Sequence, residues 1–344
     1  MNLPLTMPFP PMEAKLTHRI PTGPEWEYEP KWDGFRCLAF RSGSEVELQS
    51  KAGQPLTRYF PEIVRALLGS TAKRFVVDGE LILTVNGRLS FDDLLQRIHP
   101  AASRVCLLAE THPAQLVLFD LLVDDAGRSL VSEPFDNRRK ALEAFHSTYM
   151  ASVPSVRISR RTRDVRVAER WMKETRGQLD GVVAKRIDQP CLSGERAMVK
   201  VKTIRSADCV AGGFRYASGK KIVGSLLLGL YEDRLLHHVG FTSSMPAASR
   251  PGLTRKPEAL IQPPDFDGRA PGGPSRWSTD RSAEWQPLRP ELVAEVQYDH
   301  FTGMRFRHGT KFLRWRPDKD PHRCLMKQVE AESKVNPAEL VMKA

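Results

Sequence analysis

Hydrophobic residues follow two different periods along the first part of the chain. Apolar runs bounded by turn residues predict strands, and the turn at residues 41–44 joins the first two into a hairpin. Apolar positions at helical spacing after Pro61, and after Ser90 with Asp93 in a capping-box spacing, predict helices. The predicted strands cover residues 35–40, 45–49, 75–83, 115–123, 179–185 and 198–202, and the predicted helices cover residues 61–69, 90–100, 136–150 and 164–175.

Several of these predicted strands carry charged residues inside an otherwise apolar run. Asp78 and Glu80 are two positions apart, so the geometry of a strand places them on the same face. Lys200 and Lys202 repeat this spacing on the strand at residues 198–202. We therefore expect the charges to face a common polar cleft.

The pattern changes after about residue 204, where short strands and turns replace the mixture of strands and helices. Strands with little helix are typical of a small barrel such as an OB-fold. A stretch rich in proline and glycine at residues 246–285 predicts a long loop. The strands of this part cover residues 209–216, 225–231, 235–242, 292–298 and 311–316. The sequence thus predicts an α+β fold, with a first domain at residues 1–204 and a β-barrel domain at residues 205–344.

Composition favours a protein that binds a polyanion. The 344 residues carry a formal net charge of +11, and the sequence pI is about 9.5. This excess attracts nucleic acid, although a merely solubilising surface has the same composition. The five cysteines include no Cys-x-x-Cys pair that could hold a structural zinc. Without a signal-peptide pattern or an apolar run near the ~18 residues of a membrane span, we expect a cytoplasmic protein with no membrane partner.

The candidate nucleophile is Lys31, in the segment EPKWDGFR at residues 29–36. Aromatic residues on both sides of Lys31 can exclude water, and Arg36 adds a nearby cation. Burial and neighbouring cations lower the pKa of a lysine, which makes its neutral, nucleophilic form available. The same segment is also typical of a surface turn with a solvated lysine. The charged strands further along the chain favour the nucleophile.

Six motifs occur along the chain in one order: KWDGFR from residue 31, VDGEL from 77, LFDLL from 118, DGVVAK from 180, KVK from 200 and RWRPDK from 314. Their order is a more specific signal than any one motif. It resembles the covalent nucleotidyltransferase superfamily and, within it, the ATP-dependent DNA ligases, and the chain is similar to the small bacterial DNA ligase C group. The resemblance spans residues 30–319.

This resemblance implies a nucleotidyltransferase (adenylation) domain of antiparallel sheets with helices, followed by an OB-fold domain. Lys31 would take AMP from ATP and release pyrophosphate. AMP would then pass to the 5′-phosphate of a nick in double-stranded DNA, and the 3′-hydroxyl would attack and expel AMP. The implied catalytic residues are Lys31, Arg36, Lys200 and Lys202; the implied nucleotide contacts add Glu29, Pro30, Lys51, Glu80, Phe119, Val183, Arg316 and Lys319; and Asp180 and Glu80 would bind Mg²⁺ or Mn²⁺.

Two positions depart from the ligase pattern. Asp180 stands where these ligases usually have glutamate, so the carboxylate is one methylene shorter and a metal or its water shell must shift. Lys51 stands where many of them have arginine, and a lysine gives up the bidentate contact to phosphate. Neither change removes a charge, so we expect altered geometry rather than a different reaction.

Other functions share parts of this pattern. RNA ligases and mRNA-capping guanylyltransferases also contain Lys-x-Asp-Gly, whereas a non-catalytic DNA-binding scaffold would need only the basic charge and the barrel. Beyond nicked DNA, the resemblance leads us to expect a monomer that is nucleoid-associated and works with other bacterial repair proteins. We also expect basic residues of the predicted loop at residues 246–285 to contact the duplex.

Overall fold

The structure is a computed structural model that describes residues 1–175, 179–246, 250–263, 265–271, 284–330 and 337–341. The chain divides into two compact units, of which the second is Ile204–Glu332. The first unit combines Met1–Thr203 with Ser333–Ala344. The break after Thr203 lies beside the predicted domain boundary. The chain after residue 332 differs from the prediction, because it belongs to the first unit and not to the second.

The first unit is built from two main sheets with helices, and its described elements are these. The strands are β1 (Ala14–Thr17), β2 (Trp26–Lys31), β3 (Phe35–Ser42), β4 (Glu45–Ser50), β5 (Arg74–Ile82), β6 (Thr84–Val85), β7 (Arg88–Leu89), β8 (Gln115–Val123), β9 (Val156–Ile158), β10 (Gly181–Arg186) and β11 (Met198–Lys202). The helices are α1 (Pro61–Gly69), α2 (Phe91–Leu95), α3 (Ala102–Thr111), α4 (Phe135–Tyr149) and α5 (Val165–Glu174). One sheet has the strand order β1-β11-β10-β2, and the other has the order β4-β3-β5-β8-β9.

The hydrophobic pattern predicted six strands and four helices of the described first unit, and it missed β1, β2, β6, β7, β9 and α3, so the strand that carries Lys31 was not predicted. Ser90 caps α2 as predicted by accepting a hydrogen bond from the Asp93 amide, but the helix ends at Leu95 and not near Pro100. Helix α3 was not expected from the sequence. Only Val105 and Ala109 of α3 are buried, so its apolar stripe is too narrow to give a helical period. No helix in the described ranges is long and apolar enough to cross a membrane.

Apolar clusters hold the layers of the first unit together. Helices α1 and α4 share one cluster with the five-stranded sheet, and α5 shares another with the four-stranded sheet. A further cluster takes Leu38 and Val76 from the five-stranded sheet and Met198 from β11, so apolar side chains link the two sheets directly. Burial of these side chains is the main term that fixes the sheets against each other.

The second unit is mostly strand. Its described elements are β12 (Arg205–Tyr216), β13 (Val223–Glu232), β14 (Leu235–Ser244), helix α6 (Arg250–Glu258), β15 (Gln286–Pro287), β16 (Val293–Tyr298), β17 (Phe301–Thr302), β18 (Arg305–Phe306) and β19 (Thr310–Trp315). The strands β12, β13, β14, β19 and β16 pair in this order, and β16 pairs in turn with β12. The β14–β19 pair is parallel and the others are antiparallel. This closed ring of pairings is consistent with the predicted OB-fold barrel.

Helix α6 corrects the predicted long loop at residues 246–285. Pro251 and Gly252 lie in its first turn, where a proline needs no amide hydrogen-bond partner, and Pro257 lies near its end. The sequence therefore concentrates loop-forming residues at the ends of a real helix. Residues 272–283 of the predicted loop lie outside the described residues.

A short segment from beyond the second unit packs on the first. Leu340 is only 2% exposed and lies in the cluster that contains Trp32 and Trp171. The amide of Arg160 donates a hydrogen bond of 2.9 Å to the Leu340 carbonyl, and Val341 forms an antiparallel bridge with Ser159. The segment Pro337–Val341 therefore contributes Leu340 to the apolar cluster that also contains Tyr28 of β2.

We predict that Leu340→Asp releases this segment, because an unpaired carboxylate cannot remain in an apolar cluster. Hydrogen exchange at the Arg160 amide should then accelerate at least about tenfold, since opening of this local unit no longer breaks the apolar contacts of Leu340. Leu107→Asp is the matched control, because Leu107 is 59% exposed on α3 of the same unit. Equal exchange in both variants would contradict a docked segment.

Candidate active site

A cavity of about 570 Å³ in the first unit collects most of the predicted site residues. Both sheets contribute to its walls, since Arg36, Glu80 and Phe119 lie on the five-stranded sheet and Val183 lies on β10. The predicted site residues that line the cavity are Glu29, Pro30, Lys31, Arg36, Lys51, Glu80, Phe119, Val183 and Lys200. Asp180 is joined to this set by its ion pair with Lys31, and Lys202 by its ion pair with Asp180.

Lys31 is the last residue of β2 and lies opposite Gly181 in the β2–β10 pairing. Its Nζ forms an ion pair with the carboxylate of Asp180, the residue before β10. Lys202 Nζ lies 3.3 Å from the other Asp180 oxygen. Asp180 is 5% exposed, so its charge is balanced mainly by these two cations. The pairing thus fixes the amine of Lys31 at the edge of the cavity.

Two of the three Asp-Gly pairs of the motifs, Asp33-Gly34 and Asp180-Gly181, show the steric reason for glycine most clearly. A Cβ added to Gly34 would lie 2.0 Å from the Leu81 carbonyl oxygen, and one added to Gly181 would lie 1.9 Å from the Val201 carbonyl oxygen. Gly181 also has a φ of +139°, which side chains rarely tolerate. At both positions glycine lets a neighbouring strand approach the end of the strand that carries a site residue.

Arg36 lies between a carboxylate and an aromatic ring. Its guanidinium donates two hydrogen bonds to Asp78, of 2.9 and 2.6 Å, and lies 5.2 Å from the centre of the Phe119 ring. Asp78 therefore orients the guanidinium of Arg36, whereas Glu80 lines the cavity itself. Burial raises the pKa of Glu80 to about 7, although the nearby Lys31 and Arg36 oppose this shift.

A buried ion cluster at the base of the cavity was not predicted as such. Lys185 Nζ lies 2.8 Å from one oxygen of Glu29, and Arg139 donates a hydrogen bond of 3.1 Å to the other oxygen. Lys185 also lies 4.7 Å from the centre of the Phe119 ring. Lys185 is the last residue of the motif DGVVAK, so the sequence could have indicated it as a site residue. The sequence gives no such indication for Arg139, because Arg139 lies in a charged stretch of α4 that is typical of a solvated face.

The cations at the other side of the cavity differ in their surroundings. Burial together with Lys31, Lys51 and Lys202 lowers the pKa of Lys200. Lys51, in the turn after β4, forms an ion pair of 2.9 Å with Glu13, a residue that the sequence analysis did not single out. These cations are the part of the site suited to phosphate groups.

Arg316 and Lys319 lie in the second unit, and each contacts Asp208 there. Arg316 Nη1 is 3.0 Å from one oxygen of Asp208, and Lys319 Nζ is 3.5 Å from the other. Arg316 also pairs with Asp318 at 2.8 Å. The RWRPDK motif therefore forms a local ion network at the end of β19.

A metal would find few protein ligands in this site. The described residues contain no group of three or more His, Cys, Asp or Glu side chains that could hold a metal ion. Of the two predicted ligands, Glu80 lines the cavity and Asp180 is already paired with two lysines. A bound divalent cation would therefore need further ligands from elsewhere.

The α+β first unit with its lysine-bearing cavity, together with the strand-rich second unit, defines a nucleotidyltransferase. Residues 11–202 match the family described as ATP dependent DNA ligase domain, and residues 219–319 match the ATP dependent DNA ligase C terminal region. The chain belongs to the ATP-dependent DNA ligase family. The resemblance inferred from the six motifs is therefore confirmed.

Curated relatives match over nearly their whole length. DNA ligase C2 of Mycolicibacterium smegmatis is 44% identical over 96% of this chain and 97% of its own. DNA ligase C of Mycobacterium tuberculosis is 42% identical over 99% of both chains. A solved structure of a Lig E DNA ligase superposes with a TM-score of 0.55 at 15% identity, covering 89% of this chain and 99% of that one. This last likeness shows the fold alone.

We predict that Glu29→Gln destabilises the first unit by about 3 kcal/mol, because an amide leaves two buried cations without their shared charge. Denaturant unfolding, followed for the transition of the first unit, measures this change. Glu110→Gln is the control, since Glu110 is exposed on α3. Equal stability of the two variants would mean that Lys185 and Arg139 find other partners.

Proposed function

We propose that the protein seals nicks in duplex DNA through a covalent lysyl-AMP intermediate on Lys31. The observation that carries this proposal is the position of the Lys31 amine, which lies at the edge of the cavity and in contact with a buried carboxylate. Membership of the ATP-dependent DNA ligase family supports ATP as the nucleotide and DNA as the substrate. The nick, as the particular DNA structure, is inferred from the resemblance of the motifs to those of DNA ligases.

In the first step, the neutral amine of Lys31 attacks the α-phosphorus of ATP. A P–N bond forms, the P–O bond to pyrophosphate breaks, and pyrophosphate leaves. Asp180 is placed to take the proton that the amine loses, because its carboxylate contacts Nζ. Lys200 and Lys202 supply positive charge for the phosphate oxygens as negative charge develops on them.

In the second step the 5′-phosphate of the DNA displaces the lysine, and in the third step the 3′-hydroxyl displaces AMP. An oxygen of the 5′-phosphate attacks the phosphorus of lysyl-AMP, and the P–N bond breaks. The 3′-hydroxyl then attacks the 5′-phosphate, a phosphodiester forms, and AMP leaves with the electrons of the broken P–O bond. The same cations can stabilise each step, because every step transfers a phosphate group between oxygen or nitrogen nucleophiles.

Adenine fits the apolar and buried end of the cavity. Phe119 and Val183 both line the cavity, and we propose that the base packs against them. Glu29 can accept a hydrogen bond from the 6-amino group, and Lys185 can donate one to N1. Guanine presents the opposite pattern at these two atoms, with an acceptor at O6 and a donor at N1. The buried pair of Glu29 and Lys185 therefore favours ATP over GTP.

Glu80 and Asp180 are the protein ligands that we propose for Mg²⁺ or Mn²⁺, and Asp180 would give up a contact with Lys31 or Lys202 to bind the ion. The carboxylates of Glu80 and Asp180 are the hard oxygen ligands that Mg²⁺ prefers, and this ion commonly takes one or two carboxylates together with substrate phosphates. A bound ion would neutralise charge on the phosphate oxygens. The phosphates of ATP would provide the ligands that the described residues lack.

Arg316 and Lys319 are proposed to act on the pyrophosphate leaving group in the first step. Their support is the resemblance of RWRPDK to the last ligase motif and the basic character of the segment. The proposal extends to a monomer that acts in bacterial DNA repair with other repair proteins, close to the nucleoid. It also includes contact between the duplex and basic residues at 246–285.

We predict that wild-type protein incubated with α-labelled ATP and Mg²⁺ becomes covalently labelled, and that Lys31→Ala abolishes the label, because no other amine occupies its place opposite Gly181. The label should resist alkali and be released by acid, as expected for a P–N bond. Lys15→Ala should label like wild type, since Lys15 is an exposed lysine on β1. An unlabelled wild type would overturn the proposed reaction, and a labelled Lys31→Ala would overturn the nucleophile.

We further predict that Lys185→Met lowers the ratio of ATP to GTP in self-labelling, measured as kcat/KM for each nucleotide, by at least about tenfold. The variant loses the donor to adenine N1 but keeps an apolar contact with Phe119. A variant that was merely destabilised would lose both activities together and leave the ratio unchanged. Such an unchanged ratio would contradict recognition of the base by Lys185.

A further inference from the structure

The ion pairs around the cavity fall into two groups. Glu29, Asp78 and Asp180 are at most 5% exposed, and each holds its cation or cations in a buried contact. The pair of Glu13 and Lys51 also lines the cavity, but its side chains are 25% and 50% exposed. An exposed ion pair contributes little to stability, so this one opens at low cost.

The backbone around Glu13 fixes its position at the cavity. Its amide donates a hydrogen bond of 2.7 Å to the Glu195 carbonyl, and its carbonyl accepts one of 3.0 Å from the Met198 amide. The carboxylate therefore stays among the cations at the phosphate side of the site. Lys51 lies 2.9 Å from it and the Arg196 guanidinium 3.7 Å from it, and the contact with Lys51 lowers the pKa of Glu13.

We propose that Glu13 occupies the place of a phosphate group: its carboxylate holds Lys51 until an incoming phosphate takes the lysine over. This inference rests on the proposed function, because that function brings phosphate groups to the cavity. Glu13 then lowers the affinity of the site for phosphate in two ways. The ion pair must open before Lys51 can bind, and the freed carboxylate repels the phosphate.

The phosphate group could belong to ATP and pyrophosphate or to the 5′ end of a nick. Two measurements distinguish these sources. The KM for ATP in self-labelling, with inhibition by pyrophosphate, reports on the nucleotide. The Kd for nicked duplex with a 5′-phosphate, compared with the same duplex bearing a 5′-hydroxyl, reports on the nick.

The test uses Glu13→Gln, Lys51→Ala and the double variant in the full-length chain. Glu13→Gln should lower the KM for ATP or the Kd for the 5′-phosphorylated nick by about two- to fivefold, the range of an exposed ion pair. The gain should shrink as salt rises, and it should be smaller when Lys51 is already alanine, because only the repulsion by the carboxylate then remains. Glu195→Gln, which removes an exposed negative charge nearby, should not reproduce it.

Three results would overturn the inference. Unchanged or weaker phosphate binding by Glu13→Gln in both measurements would mean that Glu13 orients Lys51 and does not compete for it. A gain of the same size without Lys51, or one that Glu195→Gln reproduces, would reduce the effect to general charge. All these results are distinct from failure of the proposed function, in which the wild-type protein itself would carry no label.

Discussion

The contact between Lys31 and Asp180 depends on the pairing of β2 with β10, and the chemistry of the site depends on that contact. Gly181 lies opposite Lys31, and the amide of Asp180 donates a hydrogen bond of 2.9 Å to the Lys31 carbonyl. The backbone therefore brings the Cα atoms of Lys31 and Asp180 close together, and the ion pair between their side chains holds the amine. Holding a nucleophile in position is a main contribution of a protein to phosphoryl transfer.

Much of the site could be predicted from the sequence, since a charged residue within an otherwise apolar strand indicates that the strand borders a polar cleft. The sequence could not show which charge pairs with which. Asp78 and Glu80 share a face, yet Asp78 binds Arg36 while Glu80 remains in the cavity. The partners of Glu29 lie on β10 and α4, far away along the chain, so no local spacing connects them. Glu13 escaped notice for the same reason.

The elements of the fold that the sequence did not predict were missed for similar reasons. Helix α3 buries too few side chains to give a period, and α6 has prolines near both ends. The return of Pro337–Val341 to the first unit is seen in one buried leucine, one backbone hydrogen bond and one β-bridge, which leave no pattern in a short segment. As a result, the second unit is an insertion into the first, joined to it at both of its ends.

The two ends of the cavity suit the different demands of one reaction cycle. In the proposed cycle the base of the nucleotide stays in place while AMP is bound to Lys31, so a buried pair such as Glu29 and Lys185 would suit its recognition. The phosphate groups are exchanged, because pyrophosphate must leave before a DNA phosphate enters. Cations that hold phosphate too tightly would slow this exchange, and the proposed role of the exposed Glu13–Lys51 pair is to prevent this by offering a competing anion.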